Sequence, residues 1–176
     1  LMLRDKSYFS QLSEKKVTAL AFEKIKDNTG SYPIIRSMGE IVGNSSLHIA
    51  AKYLAHPKYG NGSMLGGIPG LKPTEVVILG AGTVSENAAK AAIGMGASVK
   101  IFDNSVYRLR RLQSNIQTKL FTSVLHPKNL EEALANADVV LGAMRKRKGV
   151  PSFTVPAAMI QKMKKGAVII DVSIDE

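Results

Sequence analysis

The chain has 176 residues, 45% hydrophobic and 22% charged, an ordinary globular composition with room for one domain or one domain plus part of another. It has no cysteine, which excludes disulfides and thiolate metal sites and fits a reducing cytoplasm, and it has no apolar run near the ~20 residues of a membrane helix. The formal net charge of +10 points to an anionic partner, but aromatic residues, at 6%, do not interleave with the basic clusters at 108–111 and 145–148, so stacking on nucleic-acid bases has little support.

In chain order, Tyr8, Phe9 and Leu12 recur at helical spacing and predict a short amphipathic helix over 5–15. The β-branched and apolar run 17–22 reads as a buried strand, 27–30 (Asp-Asn-Thr-Gly) as a turn, and 32–35 as extended. Ser37 with Glu40 three residues on makes a capping pattern for a helix over 38–54. Ile41, Ser45, His48, Ile49 and Tyr53 share one face of that helix, which at ~1.5 Å per residue spans about 25 Å, a length suited to a connector. The glycine-rich stretch 59–73 also holds Met64, Leu65, Ile68 and Leu71, so a structured loop is expected there.

From residue 76 the pattern alternates. Strands are predicted at 76–79, 99–102, 119–124, 139–141 and 168–172, with helices at 83–95, 106–112, 130–135 and 155–163. Short apolar strands that alternate with helices call for α/β architecture: a parallel sheet covered on both faces and doubly wound. The chain starts without Met and stops just after its last apolar run, as expected of a piece of a longer protein.

The run Val76-Val77-Ile78-Leu79-Gly80-Ala81-Gly82-Thr83-Val84-Ser85 is the chemical centre of this pattern. Gly80 permits a tight turn out of the strand, and Gly82 lets a pyrophosphate approach the backbone. The helix that follows offers free N–H groups and a positive dipole end. The third fingerprint position is Ser85 rather than Gly or Ala, a departure that bears on packing more than on phosphate affinity. Asp103 lies 21 residues beyond Gly82 at the tip of the next strand, where a carboxylate accepts hydrogen bonds from an adenosine ribose and repels a 2′-phosphate. This favours NAD over NADP, with Arg108, Arg110 and Arg111 close enough to offset the repulsion. The competing structural reading is an ordinary strand–turn–helix followed by an unrelated Asp.

Met64-Leu65-Gly66-Gly67-Ile68-Pro69-Gly70-Leu71-Lys72-Pro73, leading into the glycine turn, resembles the alanine dehydrogenase branch of the alanine dehydrogenase/nicotinamide nucleotide transhydrogenase family. Residues 17–23, 38–43, 137–143 and 163–175 are similar to it as well. The resemblance implies a Rossmann-like NAD-binding domain over 59–176, truncated at its C-terminus. It implies a linker helix over 37–58 and the end of a substrate domain over 1–36. It further implies NAD-linked interconversion of L-alanine and pyruvate in the full-length enzyme, with a small-molecule substrate, no nucleic-acid or membrane partner, no metal and a hexameric assembly. By the same resemblance Asp175 takes the position of the catalytic aspartate, against a plain reading as a strand-terminal turn residue. The cofactor-binding positions are Gly80, Gly82, Thr83, Val84, Asp103, Asn104, Arg108, Ala143, Met144, Val172 and Asp175.

This sequence departs from the family in several places. Gly39 stands where members carry a phosphate-contacting Ser, and Arg145-Lys146-Arg147-Lys148-Gly149 replaces an apolar segment with a Pro-Gly turn. His48, His56 and His126 do not match the catalytic histidine, and the substrate-binding Arg and Lys fall upstream of Leu1. The fragment alone is therefore expected to bind NAD(H) without turning over alanine. A transhydrogenase-type NAD domain, a regulatory NAD-sensing module and a basic nucleic-acid binder remain as alternatives.

Overall fold

Hydrophobic runs too short for helices and separated by helices assemble here as strands. In the computed structural model, which describes residues 6–144 and 155–173, β1 (Glu75–Leu79), β2 (Ser98–Phe102), β3 (Phe121–Ser123), β4 (Val139–Gly142) and β5 (Val168–Asp171) form one parallel sheet. The strand order is β3-β2-β1-β4-β5, so β1 is central. In register, Val76 faces Val99 on one side and Val139 on the other. Alternation divides the core between two faces. Val76 and Ile78 pack with Leu47, Ala88, Ala92, Ile101 and Leu112, whereas Val77 and Leu79 pack with Phe102, Leu130 and Leu134. Full burial of a Val, Leu or Ile side chain contributes about 1.5–3 kcal/mol, so the central strand is the most heavily stabilised part of the sheet.

Helices α3 (Thr83–Gly94), α4 (Val106–Ile116), α5 (Pro127–Asn136) and α6 (Ala157–Ile160) connect the strands. The α/β, doubly wound Rossmann-like expectation holds. Two element boundaries differ from the sequence reading. The helix expected over 155–163 is regular only across four residues, none of them buried, and continues as turns to Met163. The strand expected over 119–124 pairs over three residues only, at the sheet edge, where Phe121 is exposed.

The chain divides into two units, residues 1–37 and 38–176. The first holds α1 (Lys6–Glu14), as expected, and the turn at Asp27, whose Oδ1 accepts from the Thr29 and Ser31 amides and the Thr29 hydroxyl. The strand expected over 17–22 is absent. Residues 17–21 carry no regular structure, Phe22–Lys24 is a 3-10 turn, and Leu20 is 84% exposed. A strand needs a neighbour to take its amides, and no strand among the described residues lies in this unit.

Residues 32–35 are not extended, because α2 (Pro33–Leu54) starts at Pro33. Proline suits a first helical turn, where its missing N–H is not needed and its φ is already helical. Ser37 is thus inside the helix rather than its cap. The buried face of α2 within the second unit is Gly39, Gly43, Ser46, Leu47, Ala50 and Leu54. The face predicted from Ile41, Ser45, His48, Ile49 and Tyr53 is the exposed one. Small residues let α2 come close to its neighbour, and that closeness outweighs the larger apolar side chains on the other side.

The glycine-rich loop is ordered around Thr74. Its N–H and hydroxyl donate to the Gly66 carbonyl, and its hydroxyl accepts from the Gly66 N–H. Gly67 donates to the Met95 carbonyl, which fixes the loop against the end of α3. Leu65 enters the core as a structured loop requires, while Met64, Ile68 and Leu71 stay exposed.

Candidate functional site

At the C-terminal end of β1 the chain turns at Gly80-Ala81-Gly82 into α3. Gly80 has φ +112°, and a Cβ there would lie 2.6 Å from the Ala143 carbonyl oxygen, so only glycine fits. Gly82 is glycine for another reason. Its backbone is extended, and a Cβ on it would meet nothing within 4 Å. It caps α3 without a side-chain hydrogen bond, and the first-turn amides of Thr83, Val84 and Ser85 have no acceptor within the helix. Open space, missing side chain and positive helix end together fit an approaching pyrophosphate. The place is the switch point of the sheet, where β2 departs to one side of β1 and β4 to the other.

Asp103 follows the last residue of β2 and is completely buried. Its Oδ2 accepts from the Ala81 N–H at 2.8 Å, its Oδ1 from the Ser105 N–H at 2.7 Å, and Arg108 Nη2 lies 3.1 Å from Oδ1. The acid expected at the ribose is therefore bound into the turn by its own chain. Asn104 is exposed beside it, and Ser105 caps α4 by accepting from the Arg108 N–H.

Ala143 continues β4 and donates to the Leu79 carbonyl at 2.8 Å, which sets its own carbonyl against Gly80. The Met144 side chain lies alongside, 3.4 Å from a Cβ placed on Gly80. Val172 donates to the Gly142 carbonyl at 3.0 Å and so continues the β4–β5 pairing toward the same edge. Gly80, Gly82, Thr83, Val84, Asp103, Asn104, Arg108, Ala143, Met144 and Val172 thus all lie at the C-terminal ends of the strands. Asp175 and the basic segment 145–148 lie outside the described residues.

Sequence reasoning missed one contributor. Gly43 of α2 abuts the first turn of α3, since a Cβ there would lie 2.5 Å from the Val84 carbonyl oxygen and 2.9 Å from Asn87 Cβ. One turn earlier, a Cβ placed on Gly39 would meet the Thr83 side chain at 3.4 Å. The signal was present as small residues at 39, 43, 46 and 50, one helical turn apart. Arg111, which the sequence placed near Asp103, donates from its Nη2 to the Ala81 carbonyl at 3.5 Å. Glu86, in the first turn of α3, bonds Lys90 and Asn115. Burial pushes its carboxyl up, but those hydrogen bonds and the charges of Lys90 and Arg111 more than offset this and hold it below its usual value. Ser85 is fully buried, and its hydroxyl has no hydrogen-bond partner among the described residues.

Comparison with known proteins places this geometry. The sequence profile of the family described as "Alanine dehydrogenase/PNT, C-terminal domain" matches residues 46–176. An alanine dehydrogenase of Methanococcus maripaludis is 38% identical over 165 residues, 94% of this chain and 44% of that protein. The chain thus spans less than half the length of the curated relatives it matches. A solved structure of an L-alanine dehydrogenase superposes with a TM-score of 0.84 at 36% identity, over 99% of this chain and 48% of that one. A transhydrogenase from Sinorhizobium meliloti superposes with a TM-score of 0.75 at 18% identity, over 98% of this chain and 50% of that one, a likeness of fold alone.

Proposed function

We propose that this chain, which belongs to the alanine dehydrogenase/PNT C-terminal domain family, is the NAD-binding portion of an oxidoreductase. The full-length enzyme would convert L-alanine, NAD and water to pyruvate, ammonia and NADH. The observation that carries this reading is the pair Gly80 and Gly82. The first is locked against Ala143, and the second is open over an uncapped helix end. NAD, when bound, supplies the hydride acceptor for the substrate Cα. The chain's own share is to hold that acceptor. First-turn amides at Thr83 and Val84 take the pyrophosphate, Asp103, Asn104 and Arg108 border the adenosine side, and Ala143, Met144 and Val172 line the side of β4 and β5.

Asp175 is proposed as the catalytic aspartate on the resemblance alone. Residues 1–36 are proposed as the end of a substrate domain, 37–58 as the linker and 59–176 as the cofactor domain. Alanine or pyruvate as substrate, a homo-oligomeric assembly and a cytoplasmic location belong to the same proposal. Among the described residues no helix is long and apolar enough to cross a membrane. A transhydrogenase-type or regulatory NAD(H) module is the weaker alternative.

Fluorescence titration of the full chain with NADH tests the reading, with double-stranded DNA as control. Saturable NADH binding, with no alanine-dependent NAD reduction by this chain alone, is expected. Tighter binding of DNA than of NADH at moderate salt overturns it.

A further inference from the structure

The turn that leaves α2 plays no part in the cofactor site. It reads Tyr59-Gly60-Asn61-Gly62, and 61–62 is the one Asn-Gly pair in the sequence. Gly60 is wedged against the end of α2, since a Cβ there would lie 2.2 Å from the Leu54 carbonyl oxygen. On its other side the same backbone meets the turn that starts β5. A Cβ on Gly166 would lie 2.7 Å from the Gly60 carbonyl carbon and 2.8 Å from the Asn61 amide nitrogen. Asn61 and Gly62 themselves are exposed. We propose that Asn61 is a site of spontaneous deamidation, and that the isoaspartate it forms loosens the turn under β5. The proposal does not rest on the dinucleotide reading.

The step needs only water. The Gly62 amide nitrogen gives its proton to solvent and attacks Asn61 Cγ. The new N–Cγ bond closes a five-membered imide, and the Cγ–Nδ2 bond breaks to release ammonia. Water then opens the imide. Attack at the side-chain carbonyl gives aspartate, and attack at the main-chain carbonyl gives isoaspartate, in which the chain runs through Cβ and is one methylene longer. Three observations favour this residue. The space over Gly62 is open, because a Cβ on it would meet nothing within 4 Å, and its φ of +74° suits glycine alone. The Ser63 N–H donates to Asn61 Oδ1 at 3.0 Å and so stabilises the negative charge that develops on that oxygen during attack. The third concerns the nucleophile. The Gly62 N–H donates to the Leu54 carbonyl at 3.1 Å, a neutral acceptor at the last residue of α2, where local opening costs little. Asn28 and Asn104, the other asparagines outside helices, precede amides held by carboxylates, since Thr29 N–H donates to Asp27 and Ser105 N–H to Asp103. A charged acceptor holds its proton more firmly, so those two positions are protected. The added methylene at 61 falls where the backbone already lies against Gly166, which leaves no room for it.

The test is incubation of the full folded chain at mildly alkaline pH, followed by peptide mapping by mass spectrometry and quantification of isoaspartate with an isoaspartyl methyltransferase. The Asn61 peptide is expected to exchange its side-chain NH2 for OH at least about tenfold faster than the Asn28 and Asn104 peptides, with isoaspartate the larger product. Gly62→Ala, checked for fold by circular dichroism, should slow the conversion by about tenfold or more. An Asn61 peptide that converts no faster than the other two, or a rate unmoved in Gly62→Ala, overturns the inference. Should Gly62→Ala fail to fold, the ratio among the native peptides still decides. Thermal melts separate charge from chain length. Asn61→Asp, which adds the charge alone, should melt close to the native chain, and the isoaspartate fraction should melt lower. An isoaspartate fraction that melts with Asn61→Asp overturns the loosening of the turn.

Discussion

Asp103 Oδ2 accepts the Ala81 N–H across 22 positions of sequence and ties the glycine turn to the tip of the neighbouring strand. The acid is thus part of the turn's scaffold before any ligand arrives. Asp103→Ala leaves a buried amide without an acceptor and Arg108 without its counter-charge. It should lower stability by about 3 kcal/mol, read from urea unfolding. Asp103→Asn, which preserves one acceptor, should lose less.

Gly82→Ala and Gly80→Ala separate ligand space from backbone space. At Gly82 the new methyl meets nothing, so the melting midpoint should stay close to native while NADH affinity falls at least about tenfold. At Gly80 the positive φ and the Ala143 carbonyl both oppose a side chain, so the melt itself should drop. Paired thermal melts and NADH titrations check both outcomes.

Gly43→Ala probes the contact of α2 with α3. Its Cβ would press on the Val84 carbonyl and on Asn87, backbone and packed side chain rather than a flexible tip. Over-packing of this kind costs about 1–3 kcal/mol, measurable as a lower urea midpoint at unchanged slope.

Ser85→Ala should do the reverse. Its hydroxyl is buried without a partner, so removing the oxygen should raise stability by about 1 kcal/mol in the same assay. A drop on substitution would mean that the hydroxyl is satisfied.

Glu86 gives a pH signature. Its carboxyl is held below its usual value near 4.5, so its contribution is fully present above that value and is lost as pH falls through the lower, folded one. Unfolding midpoints measured from about pH 6 to about pH 3 should fall less steeply in Glu86→Gln than in the native chain.

Much of this was legible in the sequence because parallel strands buried on both faces leave an unmistakable trace. The run from Val76 to Leu79 has no polar side to confuse the reading, and Gly80 and Gly82 stand at the one place where a strand must turn into a helix. Within the first unit the stretch 17–22 was not legible for a related reason. Residues 17–22 have strand chemistry, but strand structure needs hydrogen-bonding neighbours that a single sequence does not display. In α2 the shared face of Ile41, Ser45, His48, Ile49 and Tyr53 is the exposed one, and spacing alone does not say which face is packed. Close approach between helices selects small side chains, and Gly39 and Gly43 marked the packed side. The engagement of Asp103 by Ala81, Ser105 and Arg108 was hidden because spacing places an acid at a strand tip but does not say which of its oxygens remain free.

Position along the chain also sets when the cradle is completed. β1, β2 and β3 are synthesised first, while the other side of β1 waits for β4, reached across 63 positions at the Glu75–Asp138 bond. Gly80 leans on Ala143, so the turn gains its second wall only when that late strand docks. A nascent chain halted before Val139 would already carry Gly82, the open helix end and Asp103. It would lack the surface against which Gly80 closes.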